Sequence, residues 1–216
     1  MISENLKYRI YTSIVLLSLL LFIFNFNLVL IYFLIILGVL SILEFLEITQ
    51  KIYSNKIILI LINIFFITYI FTFCFMFFFF SNLTGLKIML YILLFGCVAS
   101  DIGGFVFGKL FKGPKLTRIS PKKTYAGSIG SLIFTVLTMS SLFFYLLKSL
   151  SYQFIIISLI TSIFCQLGDL LFSYLKRKAK LKDTGKFLPG HGGILDRIDG
   201  ILFGIPIGFF SIILLN

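Results

Sequence analysis

Residues 57–80 read IILILINIFFITYIFTFCFMFFFF, twenty-four positions without a charged side chain. A helical crossing of a bilayer needs about 20 predominantly apolar residues, so this run predicts a membrane-spanning helix. The rest of the chain is written in the same style. Of its 216 residues 59% are hydrophobic and only 12% are charged, against roughly 25% charged in soluble domains, and the mean hydropathy is +1.11.

Working outward from that run, apolar stretches separated by polar punctuation predict seven crossings, at about 10–24, 28–49, 57–80, 86–107, 126–147, 153–175 and 200–215. The expected fold is an all-α, polytopic integral membrane helix bundle of about seven transmembrane helices. It forms a single membrane-embedded domain, 1–216, with N-terminal helices over 1–85 and the chemistry over 86–216. The first run follows Lys7 and Arg9 like a signal sequence but ends in Phe24-Asn25-Phe26-Asn27 with no small-residue cleavage site. An uncleaved anchor is therefore expected.

With the N-terminus in the cytoplasm, 17 of the 19 cations fall on the cytoplasmic side, leaving Lys87 and Lys148 outside. That bias follows the positive-inside rule. The net charge of +11 is thus one-sided, which accounts for attraction to anionic headgroups and leaves no soluble domain to present it to nucleic acid. Cys74, Cys97 and Cys165 sit in apolar runs without ligand spacing, and one histidine cannot build a zinc site. Gly200, Gly204 and Gly208 recur every fourth residue, the stripe that lets a neighbouring helix approach closely.

Chemistry concentrates between residues 166 and 199, which hold four of the eight carboxylates and the only histidine. The stretch runs Gln166-Leu167-Gly168-Asp169, Ser173, Lys176-Arg177, Lys182-Asp183, Leu188-Pro189, His191-Gly192-Gly193 and Asp196-Arg197-Ile198-Asp199. A second polar segment comprises Ser100-Asp101, Gly103-Gly104, Gly108-Lys109, Gly113, Lys115 and Ser120-Pro121-Lys122-Lys123-Thr124. Glycine lets N–H groups approach an anion and lysine adds charge, a combination suited to phosphate. The rival role for Ser120-Pro121 is a turn into the fifth helix.

If helical, Asp101 and Asp169 lie about 10–12 Å below the level of Lys109 and Lys176, and Glu44 reaches similar depth before Lys51. Intramembrane carboxylates avoid lipid and are functional by default, so the three imply a polar cavity open to the cytoplasm. Glu44 and Glu47 share one helical face, as do Asp196 and Asp199.

From Ser173 to Asp199 the spacing resembles the signature of the phosphatidate cytidylyltransferase (CDP-diacylglycerol synthase) family: Ser, hydrophobic, Lys-Arg, four free positions, Lys-Asp, then His-Gly-Gly and Asp-Arg-hydrophobic-Asp. The Ser-Asp-x-Gly, Gly-Lys and Ser-Pro-x-Lys-Thr segments at Ser100, Gly108 and Ser120 are similar to that family as well. Where the family continues Trp-Glu-Gly, this chain has Tyr125-Ala126-Gly127.

The resemblance implies transfer of a cytidylyl group from CTP to phosphatidate, giving CDP-diacylglycerol and pyrophosphate at a bacterial inner membrane, with the site facing the cytoplasm. It implies Mg²⁺, with a monovalent cation as a second candidate. Asp169, Asp196 and Asp199 are the expected metal ligands, joined in catalysis by His191, Lys182 and Arg197. Ser120, Lys122, Lys123, Thr124, Ser173, Lys176, Arg177, Gly192, Gly193 and Asp101 are expected to bind substrate. A homodimer is a candidate assembly. The alternatives are a CTP-dependent lipid kinase, another CTP-using lipid enzyme, or an anion transporter.

Overall fold

The computed structural model describes residues 22–117, 119–121, 123–148, 151–185 and 192–215. Six helices carry them: α1 (Asn27–Ile52), α2 (Lys56–Ser81), α3 (Thr84–Phe111), α4 (Tyr125–Leu147), α5 (Tyr152–Lys178) and α6 (Leu195–Leu215). All six are long and apolar enough to cross a membrane. The protein is a polytopic helical membrane protein. The crossing expected at about 10–24 lies outside the described residues except for the helical turn at 22–25.

The helices extend past the apolar runs, because a spanning helix continues until a breaker or cap stops it. Residues 53–55 interrupt α1 and α2, where the Asn55 side chain accepts from the Ile57 N–H and starts α2. Thr124 does the same for α4 by accepting from the Gly127 N–H. Lys148, at φ 53°, ends α4 in the left-handed conformation.

Packing divides the chain into two compact units. One comprises Met1–Leu83 with Lys178–Arg197, and the other Thr84–Arg177 with Ile198–Asn216. In the first unit, α1 and α2 pair through the stacked rings of Phe45 and Phe66 and a buried hydrogen bond from Thr49 to Asn63. Helix α2 turns Phe73 and Phe77 inward while Phe71, Phe75 and Phe79 remain exposed. Such an outward aromatic row suits a helix face turned to lipid.

In the second unit, α3 and α4 meet almost backbone to backbone. A Cβ on Gly103 would lie 2.5 Å from the Gly130 carbonyl oxygen, and one on Gly127 would lie 2.8 Å from that of Gly104. The phosphate-cradling role expected for the glycines of 103–108 is therefore corrected: they lie inside α3, and Gly103, Gly104 and Gly108 make room for α4. Helices α5 and α6 pack by the same device. Added Cβ atoms on Gly200 and Gly208 would meet the Cys165 sulfur at 2.6 Å and the Thr161 hydroxyl at 2.5 Å on α5, while one on Gly204 would meet the Cys97 sulfur of α3 at 2.6 Å. Cys97 and Cys165 are core residues, fully buried.

Candidate active site

In the second unit, the chain between α3 and α4 is a short, tied loop. Lys112 and Gly113 take positive φ, Lys115 bridges Thr124, and the Leu116 N–H donates to the Lys123 carbonyl. These ties place the Lys123 ammonium in an ion pair with Asp169 of α5, both side chains about one quarter exposed at 25% and 30%. One turn further along α5, Ser173 donates to Asp169 Oδ1 at 3.4 Å. Two sequence segments 46 residues apart thus share one carboxylate.

Asp199 of α6 is 9% exposed, and its hydrogen bond comes from the Gly200 N–H at 2.8 Å. Gly168 lets α6 approach so closely that a Cβ there would sit 2.5 Å from the Asp199 carbonyl oxygen. The Asp199 side chain lies within electrostatic range of Asp169, Lys176 and Asp101. A buried carboxylate is costly unless paired or bound to a cation, so one N–H beside two further carboxylates fits a cation as partner. Among the described residues, no three Asp, Glu, His or Cys side chains converge as an assembled metal cage. Mg²⁺ needs none, since it usually binds through one or two carboxylates, several waters and substrate phosphates.

Within the first unit, the described residues from the end of α5 onward, 178–185 and 192–197, are built around two acids. Asp196 Oδ2 accepts the N–H groups of Thr184 at 2.8 Å and Gly193 at 3.2 Å. Glu44 of α1, 1% exposed, accepts from the Thr184 hydroxyl at 2.6 Å and from the N–H groups of Ile194 and Leu195, each at 2.9 Å. The expectation that Glu44 faces an open cavity is corrected by this enclosure. Its neighbour on the same face, Glu47, does line a groove of about 560 Å³ with Lys51, Leu181, Lys182, Asp183, Thr184 and Gly185.

The other expected residues divide by surroundings. Arg177, Lys182 and Arg197 are exposed, Lys176 and Gly192 half-buried, and Gly193 buried. Gly192 takes φ +81°, while a Cβ on Gly193 would collide with the Thr184 hydroxyl and lie 2.5 Å from Glu44 Oε2. Thr124 caps α4, and Ser120 turns the chain by accepting the Lys123 N–H at its carbonyl. Lys122 and His191 lie outside the described residues. Thr184, whose hydroxyl and N–H join the two acids, carries no signal beyond its place one residue after Lys182-Asp183.

Gln166 extends the polar lining of the second unit, with its amide bonded to the Ser128 carbonyl and the Ser162 hydroxyl. Ser162 in turn lies 3.1 Å from the Ser100 hydroxyl. Such hydroxyl and amide contacts join α3, α4 and α5 without burying a charge.

Comparison with known proteins supplies the context for this geometry. A phosphatidate cytidylyltransferase of Rickettsia felis is 40% identical over 134 residues, covering 57% of this chain and 59% of that protein. Those of Helicobacter pylori and Mycobacterium leprae are 45% and 41% identical over 117 residues, covering 52% of this chain and 42% and 36% of theirs. The chain spans about half the length of the curated relatives it matches, or less. The profile of the cytidylyltransferase family matches residues 52–215, about three quarters of the sequence and both loops described above, and the chain belongs to that family.

Proposed function

We propose that the protein transfers a cytidylyl group from CTP to phosphatidate, in a bacterial inner membrane and with its polar loops toward the cytoplasm. The observation that carries this reading is the grouping of Asp169, Asp199 and Asp101 with Lys123 and Lys176 at one place in the second unit. The names of the relatives support the substrates. The cation bias of the loops supports the orientation.

In this reaction a phosphate oxygen of phosphatidate attacks the α-phosphorus of CTP. A P–O bond forms there, the bond to the bridging oxygen breaks, and pyrophosphate departs with the electron pair. A phosphate monoester is largely dianionic near pH 7, its second pKa being about 6, so no side chain needs to remove a proton. The obstacle is repulsion between anions. Mg²⁺, when bound, would supply charge neutralisation and alignment of the phosphates.

Asp169 and Asp199 would hold that ion; Asp196, expected from the sequence as a ligand ahead of Asp199, is set aside because its Oδ2 accepts two loop N–H groups. Lys123, already paired with Asp169, would keep the carboxylate oriented and present its charge to a phosphate, while Lys176 and Arg177 contribute further donors from α5. Ser173 fixes the rotamer of Asp169 by its hydrogen bond. In the loop of the first unit, Lys182 and Arg197 are assigned to phosphate oxygens, His191 to an orienting hydrogen bond, and Asp196 to holding the loop backbone.

The direct test is incubation of purified protein with phosphatidate, Mg²⁺ and CTP labelled either in the base or at the γ-phosphate. Base label entering lipid, with release of pyrophosphate, is the expected result. Entry of the γ-phosphate alone would overturn it in favour of a lipid kinase, and entry of neither would remove nucleotide transfer altogether.

A further inference from the structure

On the cytidylyl-transfer reading, which it presupposes and deepens, we infer that Glu44 is a positioning residue: a clamp on α1 that holds the loop bearing Lys182, Asp183 and Asp196. Nothing in the C-terminal motif announces it. Its three partners, Thr184, Ile194 and Leu195, lie 140 to 151 residues away in sequence.

Three independent features point the same way. First, Glu44 is 1% exposed, yet its two oxygens accept three hydrogen bonds from 2.6 to 2.9 Å, the satisfaction a buried carboxylate requires. Second, two of those donors belong to the start of α6, where N–H groups have no acceptor within the helix and the helix dipole favours an anion. Third, the loop is shaped to the carboxylate. A Cβ on Gly185 would strike Glu44 Oε1, and one on Gly193 would crowd Glu44 Oε2 and the Thr184 hydroxyl.

The clamp reaches the chemistry through Thr184. That residue gives its hydroxyl to Glu44 and its N–H to Asp196, and it directly follows Lys182-Asp183, which line the groove beside it. Glu44 itself touches neither nucleotide nor lipid in this scheme. It sets the backbone from which Lys182 and Asp183 project, as outer hydrogen-bond partners do for ligands in metal sites.

Glu44→Gln keeps the shape but turns one acceptor into a donor aimed at an N–H or hydroxyl. The kinetics of base-labelled CTP transfer, the rate at which trypsin cuts after Lys182, and the thermal transition in detergent would be measured together. For Glu44→Gln we expect kcat lowered on the order of 10- to 100-fold, the range for lost outer-shell partners, with the KM for phosphatidate little changed. Cutting after Lys182 should accelerate while the main thermal transition stays in place. Thr184→Val should shift both readouts in the same direction and add little on top of Glu44→Gln, as shared partners do; Thr184→Ser should restore them.

Wild-type kcat and wild-type cutting in Glu44→Gln would overturn the clamp. So would loss of the whole thermal transition with cutting throughout the chain, the mark of a residue that only supports folding. A wild-type protein that transfers no cytidylyl group overturns the reaction instead, and the cutting comparison then still decides whether Glu44 holds the loop.

Discussion

At the scale of single residues, the two carboxylates assigned to the ion differ in surroundings and so in what their removal does. Asp199 is buried with one N–H donor, so Asp199→Asn relieves a desolvated charge. We expect that variant to lose transfer by about 100-fold or more, as for a group acting on transition-state charge, while its thermal transition stays level or rises. A falling transition with retained turnover would assign Asp199 to structure. Lys123 is already engaged with Asp169, and Lys123→Gln is expected to raise the apparent KM for CTP more than it lowers kcat, the pattern of lost ground-state binding. Equal losses in kcat and kcat/KM, at constant KM, would move Lys123 to the transition state. Asp169 stands out in the sequence because intramembrane acids are rare and costly, and Asp199 through the motif that carries the family resemblance. The Lys123–Asp169 pairing is not, since motif spacing carries no distance between segments 46 residues apart.

Among the elements, the glycines of α3 and α6 decide how closely helices approach. Gly204→Val would drive its side chain into Cys97 and Cys165, and overpacking of this kind costs typically 1–3 kcal/mol or more. The expected outcome is a clear drop in the thermal transition and weak accumulation in the membrane. Gly85, in the first turn of α3, faces nothing within 4 Å, so Gly85→Ala should leave stability unchanged or raise it by up to about 1 kcal/mol through helix propensity. Identical stability of the Gly204 and Gly85 variants would refute the packing role. The stripe at 200, 204 and 208 is readable from its fourfold spacing, whereas Gly103 and Gly104 resemble a phosphate loop until they are seen within α3. Composition alone does not separate a glycine that opens a backbone to anions from one that opens it to another helix.

For the whole molecule, helix count and charge together set a topology. The loops at 112–117 and 179–185 are separated by two helices, α4 and α5, and both are basic, so both are expected in the cytoplasm. On a cysteine-free background, Lys115→Cys and Lys180→Cys should resist a membrane-impermeant thiol reagent added outside sealed cells and react after the cells are opened. Strong labelling of either from outside would reverse the orientation. The six described crossings were readable because long apolar runs, such as the uncharged twenty-four residues of 57–80, have few other folded homes. The division into two units was not, because the first unit borrows its loop from Lys178–Arg197, after three intervening helices.

That borrowing gives biosynthesis a clock. Glu44 enters the membrane with α1, but Leu195, the last of its partners, is 151 residues behind; at about 5–20 residues per second the ribosome delivers it about 8 to 30 seconds later. Until Thr184 emerges, 140 residues after Glu44, the acid has none of its three donors. A nascent chain halted before Thr184 therefore leaves that carboxylate without any of the three donors that enclose it in the folded chain.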